Sequence, residues 1–319
     1  MYWVFMEICK LKKPFSMKGK KTLLPLLALL IVAPLAAQKK NNDLHEQNLL
    51  GKVKSVEEWE YNAETADGKV VIDKEMGAVS HHMTQFNRRG NVEEEKSYDS
   101  EGKQIGKTKY KYSEVGDLME SSEYNEKGKC FGRSVYTYNS YRQPATLTLF
   151  RSDGTMETGT YHYGSAKQLD SLVWKGGKSI RREIYLYNKA LQLSEKQVLE
   201  GGQCTERTSY QYDEAGRIVK ETHSTADGKQ HSTLSAYDAD GRLKSVTQQG
   251  AAGIQESRTC WEYDKNGNIL VETWYNEHNV RNVRSTCEYT YDEEGNWTQQ
   301  LWYDDGKAFS IIQRKLIYY

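Results

Sequence analysis

Along most of this chain, aromatic and apolar residues alternate with polar ones at a spacing of two. Pairs such as Tyr110/Tyr112, Tyr136/Tyr138, Tyr185/Tyr187 and Tyr210/Tyr212 place both rings on one face of an extended segment, because successive side chains on a strand point to opposite faces. A turn signature follows the second ring: Tyr212-Asp213-x-x-Gly216-Arg217-Ile218 recurs as Tyr237-Asp238-x-x-Gly241-Arg242-Leu243. An Asp at the first turn position accepts a hydrogen bond from backbone two residues on, a type I turn follows, and Gly supplies the left-handed conformation that closes a hairpin with a bulge. Alternation then resumes, as in Ile269-x-Val271-x-Thr273-x-Tyr275, until a second turn such as Ala226-Asp227-Gly228 or Asp304-Asp305-Gly306.

The aromatic before the first turn recurs at Tyr61, Phe86, Tyr112, Tyr138, Tyr163, Tyr187, Tyr212, Tyr237, Tyr263 and Tyr291. Its turn glycines are Gly90, Gly116, Gly216, Gly241, Gly267 and Gly295. This is an internal repeat of about 25 residues running from about residue 51 to the end. Each repeat holds two strands and two turns, so the prediction is an all-β, antiparallel meander of about 20 strands paired in sequential order. A twisted sheet of that length curls. At ~4.8 Å per strand its contour is ~96 Å, and a ring of that circumference is ~30 Å across, too wide for side chains to fill. The expected architecture is therefore an open spiral, a shell or a barrel-like sheet. Polar residues between the aromatics, among them Lys220, Thr222, Ser245 and Gln299, favour this over a packed sandwich.

Composition adds three points. Only 37% of the residues are hydrophobic and 28% are charged, yet 23 Tyr and 7 Trp set in register supply the apolar surface that a disordered chain lacks. The 44 Lys and Arg balance the 44 Asp and Glu, so no basic stripe is available for nucleic acid. From Met17, Lys18, Lys20 and Lys21 precede an apolar run from Leu23 to Ala33 and the small pair Ala36-Ala37, the pattern of a signal peptide over 17–37. Residues 1–16 then read as an upstream mis-start and 38–50 as a linker to the repeat domain at 51–319. The apolar run is shorter than the ~20 residues a spanning helix needs, and the strand faces are not continuously apolar as a membrane barrel requires. The expected location is the periplasm, the cell surface or the exterior, with no integral membrane segment after cleavage. Cys130, Cys204, Cys260 and Cys287 are expected as free thiols: Cys260 and Cys287 fall two strands apart, ~9.6 Å, beyond the ~7 Å reach of a disulfide.

With Tyr-Asp-x-x-Gly-Arg-Ile/Leu and a Tyr-x-Tyr-Asp at a fixed interval, the chain resembles the YD or RHS repeat family of bacterial secreted and surface proteins. The likeness is sharpest at Tyr212 to Leu243 and at Tyr263 to Trp297. It implies hairpins coiled into a β shell and repeats that bind carbohydrate. Residue 319 falls inside a repeat, and the core segment and effector domain of the toxin members are not expected. Gly102-Lys103, Gly128-Lys129 and Gly228-Lys229 at the second turns also resemble the short hairpins of MORN-like antitoxin repeats.

Sequence motifs for the common hydrolytic and nucleotide-binding chemistries are absent, every notable residue occupies a repeating position, and no enzyme, cofactor or metal is expected. His81-His82 points to opposite faces of a strand, which is awkward for joint ligation. The turn carboxylates Asp213, Asp238, Asp264 and Asp292 are accounted for by turn geometry. Trp274, Trp297 and Trp302 depart from the repeat pattern and are the candidate ligand-binding residues, since indoles stack on the apolar faces of sugars. The functional expectation is an exported, non-enzymatic binding scaffold for a polysaccharide or an envelope protein. The alternative is an interaction module of a contact-dependent secretion or toxin-immunity system.

Overall fold

The computed structural model describes residues 42–73, 77–176 and 180–319, all within one unit, Ala33–Tyr319. The expected mis-start (1–16) and signal peptide (17–37) lie outside the described residues. A helical turn, α1 (Asp43–Glu46), precedes the strands β1 (Val53–Ala66), β2 (Lys69–Ile72), β3 (Ser80–Phe86), β4 (Val92–Tyr98), β5 (Gln104–Tyr112), β6 (Leu118–Asn125), β7 (Cys130–Tyr138), β8 (Pro144–Arg151), β9 (Met156–Tyr163) and β10 (Leu169–Lys175). There follow β11 (Arg181–Tyr187), β12 (Leu193–Glu200), β13 (Gln203–Tyr212), β14 (Ile218–Thr225), β15 (Gln230–Tyr237), β16 (Leu243–Gln249), β17 (Gln255–Tyr263), β18 (Ile269–Tyr275), β19 (Arg281–Tyr291), β20 (Trp297–Asp304) and β21 (Lys307–Tyr318).

From β3 to β21 each strand pairs antiparallel with the next, and β1 pairs with both β3 and β21. The sheet is a closed barrel, and among the described strands only β2, paired with the end of β1, stands outside the ring. Closure leaves no free edge within the ring itself to template association.

Turn chemistry fixes the hairpins. The Asp213 N–H donates to the Arg217 carbonyl at 2.9 Å, the Gly216 N–H to the Asp213 carbonyl at 3.0 Å, and the Asp213 carboxylate accepts the Arg217 N–H at 2.9 Å. Gly216 stands at φ +79, where a side chain costs about 1–2 kcal/mol. Gln211 then opposes Lys220 while Tyr212 opposes Ile218, which leaves Val219 as the bulged residue. Where the glycine is lost, Arg142, Lys167 and Leu191 take the same left-handed position. Asn139 and Asn188 replace the aspartate in two of these turns. The repeating Arg has a second task. Arg217 pairs with its own Asp213 at 2.7 Å and lies over the Tyr237 ring of the next repeat at 4.6 Å, and Arg242 treats Asp238 and Tyr263 alike.

Strand registers divide the wall into two faces. One carries the half-buried repeat tyrosines with the buried Tyr136, Leu147, Leu172 and Trp174; the other carries the exposed Lys109, Lys111, Gln211 and Glu288 beside a few buried residues such as Val271 and Leu301. Side chains crowd on the concave side of a curved sheet, so the tyrosine face lines the lumen. There the hydroxyls of Tyr112, Tyr138, Tyr163, Tyr187, Tyr212, Tyr237 and Tyr263 each donate to the carbonyl that opens the second strand of the preceding hairpin, at 2.7–2.9 Å. The aromatic rows thus stitch hairpin to hairpin.

Two repeat positions depart from the sequence expectation. Tyr61 lies on β1, which runs away from the Asp-x-x-Gly rim, and it faces outward opposite Ile311 in a small cluster with Ala63, Leu301 and Ala308. Its 25-residue interval to Phe86 is therefore not a repeat interval, and Tyr318 at the end of β21 occupies the corresponding place. Tyr291 precedes its turn, but its hydroxyl donates to Asp264, and Tyr289 makes the ladder bond, to the Ile269 carbonyl at 2.9 Å.

Residues 42–50 pack onto the seam of the ring. Asn42 caps α1 by accepting the His45 N–H at 3.0 Å, and Leu44 and Leu49 bury against Val53, Val56, Phe86 and Val92. The Asn296 side chain accepts the Leu50 N–H at 2.7 Å and donates to the Leu50 carbonyl at 2.9 Å. The stretch read as a linker therefore includes a docked segment.

Candidate functional site

All three candidate tryptophans face the lumen, but they occupy different surroundings. Trp297, next to the Asp-x-x-Gly rim, has the Arg314 guanidinium 3.3 Å from its ring centre and the edge of Tyr289 against it. Arg314 is in turn held by Glu58 at 2.7 Å. One face of this indole is therefore already occupied.

Trp274 and Trp302 sit near the opposite rim, on β18 and β20, with β19 between them. Trp274 opposes Val283 and Trp302 opposes Cys287. Four residues along β19 and two strand spacings separate the two indoles, so their Cα atoms lie ~16 Å apart. Polar groups fill the interval. Ser285 stands between Glu272 and Asp304 and donates to Asp304 at 2.6 Å, while Trp261 donates from its indole N–H to Glu272 at 2.8 Å. The Trp302 indole reaches Gln300 at 3.4 Å, and the buried Trp274 indole N–H has no hydrogen-bond partner among the described residues. Burial pushes the Cys287 thiol, which neighbours Trp302, up to about 11, so it is protonated and unreactive near neutrality. The arrangement is two separated aromatic surfaces joined by carboxylate, hydroxyl and amide groups on one wall.

Other charged groups of the lumen are tied into structure. Glu183 receives the Tyr185 hydroxyl at 2.9 Å and the Trp174 indole at 3.3 Å, with Lys196 at 3.0 Å and Arg181 at 3.3 Å. Burial raises its carboxyl, but the two cations and the hydroxyl outweigh burial and hold it below the usual carboxylate range. Asp213, Asp238 and Asp264 are engaged by their own turns, and each is held below the usual carboxylate range.

His81 and His82 separate as their adjacency requires. His81 faces outward, stacked between Trp59 and Tyr98 and bonded to Glu57 at 2.9 Å, while His82 faces the lumen. Cys260 falls on the outer face and Cys287 on the inner, and all four described cysteines are free. Motif reading passed over the lumenal pair His223 and His231, which oppose each other across β14 and β15 with ring centres 4.9 Å apart. The signal was available: the two residues are equidistant from the turn that joins Thr225 to Lys229.

A family model described as Teneurin YD-shell matches residues 162–309. Similar solved structures include a porin-like protein from Bacteroides uniformis ATCC 8492, 11% identical over 83% of this chain and 96% of that one, with a TM-score of 0.35. A porin-like protein from Bacteroides vulgatus ATCC 8482 is 12% identical over 84% of this chain and 98% of that one, at 0.24. The TcdB2–TccC3 complex without its hypervariable C-terminal region is 15% identical over 70% of this chain and 14% of that one, at 0.31. No curated protein matches. The hairpin repeat, its turn chemistry and the family match make residues 162–309 of the chain similar to YD-shell repeats.

Proposed function

We propose that the protein is an exported, non-enzymatic scaffold that binds carbohydrate on the lumenal wall near the rim opposite the Asp-x-x-Gly turns. The observation that carries this reading is the pairing of Trp274 and Trp302 on one face, with Glu272, Ser285, Asp304 and Gln300 beside and between them. Indole faces stack on sugar rings, and the intervening carboxylates and amides take hydroxyl hydrogen bonds. A span of ~16 Å fits a short oligosaccharide rather than a single ring. The outer wall, with Lys107, Lys109 and Lys111 pointing away from the lumen on β5, supports a barrel surrounded by water rather than lipid.

A glycan array probed with the folded protein tests the reading. Binding to a defined oligosaccharide is expected, with loss of at least about tenfold in affinity for Trp274→Ala and for Trp302→Ala, since each removes one stacking surface. Binding that survives both substitutions places the ligand elsewhere, and a blank array from folded protein overturns the carbohydrate reading.

A further inference from the structure

Inward positions of β14 and β15 gather a group that the repeat does not require. Glu221 and His223 alternate onto the lumenal face of β14, and His231 and Thr233 onto that of β15. His223 directly opposes His231, with ring centres 4.9 Å apart and planes inclined by 37°. On the other side of His223, Thr208 of β13 places its hydroxyl 3.2 Å from Nδ1, which orients the ring and leaves Nε2 open. His231 is exposed beside the rim, so the site has an approach from solvent.

We propose that His223 and His231 form a binding site for a divalent transition-metal ion on the lumenal wall, with Glu221 as the third ligand. Directly opposed residues of adjacent strands have Cβ atoms about 4.5–5.5 Å apart. Imidazole nitrogens on that spacing reach a common ion at the ~2.0–2.1 Å typical of metal–nitrogen bonds. Paired imidazoles with one carboxylate select zinc, copper or nickel over calcium or magnesium, whose ligands are oxygens. The Thr208 contact to the non-ligating nitrogen is the kind of outer interaction that fixes a ligating ring.

Glu221 supports the assignment. It lies two residues before His223 on the same face and opposes Thr233, two residues past His231, so it flanks both imidazoles within the diagonal reach of a long side chain. As the side chains are placed, no three His, Cys, Asp or Glu among the described residues could hold a metal ion. Ligation therefore requires side-chain rotation, with water completing the sphere. The two indole surfaces lie on β18 and β20, so this site is independent of the carbohydrate reading.

The test uses untagged protein with its accessible thiols alkylated, titrated with Cu2+ and followed by electron paramagnetic resonance. The expected result is one bound ion whose spectrum shows coupling to two imidazole nitrogens. His223→Ala and His231→Ala should each weaken binding at least about tenfold, while His82→Ala, inward on β3, leaves it unchanged. Circular dichroism of each variant separates lost ligation from lost folding, and exposed His231 is the residue whose removal disturbs the wall least. Absence of binding, a spectrum without two nitrogen ligands, or binding retained in His231→Ala overturns the proposal.

Discussion

Val53 opposes Tyr318 across the seam of the barrel in the register that Ile218 and Tyr212 hold within one hairpin. The likeness extends to the backbone. The Tyr319 N–H donates to the Lys52 carbonyl at 3.0 Å as the Asp213 N–H donates to the Arg217 carbonyl, and Gly51 stands at φ +76 where Gly216 stands at +79. Residues 51–53 and 318–319 therefore rebuild a hairpin that lacks the two middle residues of its turn. The repeat is cut within a hairpin, and closing the ring joins the first strand to the last.

This predicts a functional circular permutant. Joining Tyr319 to Gly51 through two residues, with new termini in the exposed turn after Asp238, should give a barrel with the same far-ultraviolet spectrum and a single cooperative urea transition. The permutant lacks residues 42–50, so its transition should come at lower urea because Leu44 and Leu49 no longer cover Phe86 and Val92. A chain that fails to fold even when Gly51 is kept would show that the seam is not equivalent to the other hairpins.

Hydroxyls that bond across hairpins should count, and the outward-facing hydroxyl of Tyr61 should be silent. Tyr212→Phe deletes the bond to the Leu193 carbonyl and is expected to cost about 0.5–1.5 kcal/mol in chemical denaturation. Tyr61→Phe, on the outward face, should fall near zero. Equal effects at the two positions would contradict the division of faces.

Stability should fall at both ends of the pH range. The backbone N–H of Arg217, and then its guanidinium, hold the Asp213 carboxyl below its unfolded value. Stabilisation from such turns is thus fully present above about pH 4 and lost as pH falls through the folded value. Asp213→Asn should blunt the acid limb. Burial pushes Tyr138 and Tyr161 up to about 12. Their contribution is present below the unfolded value near 10 and lost as pH rises toward the folded one. Thermal melts from pH 3 to 12 check both limbs. A flat profile above pH 10 would contradict tyrosine burial.

Much of this fold was legible because one turn sets one register. Asp213-x-x-Gly216 dictates a bulged hairpin, and repetition dictates sequential pairing. What the periodicity did not contain was the closure, because Val53 and Tyr318 are brought together by the accumulated curvature of the whole sheet rather than by a turn. Tyr61 shows the same limit: its interval matches the repeat, but strand direction, which spacing alone does not carry, turns it outward. Alternation put Trp274 and Tyr275 on opposite faces of their strand, but only the register of β18 against β17 shows that Trp274 is the lumenal one. The Arg314 cover on Trp297 came from a strand that only closure sets near it. His223 and His231 were missed because motif reading looks for ligands near in sequence, while these meet by counting outward from a turn.

Spin labels at Lys54 and Lys315 test the closed ring most directly. Both residues are exposed, on strands that pair across the seam, and their Cα atoms lie within about 12 Å of each other in that register. In a chain whose native cysteines are replaced by serine, the closed barrel predicts strong dipolar broadening of the labels at these sites. Labels several tens of ångströms apart, as at the two ends of an open spiral ~96 Å in contour, would contradict closure and with it the lumenal site.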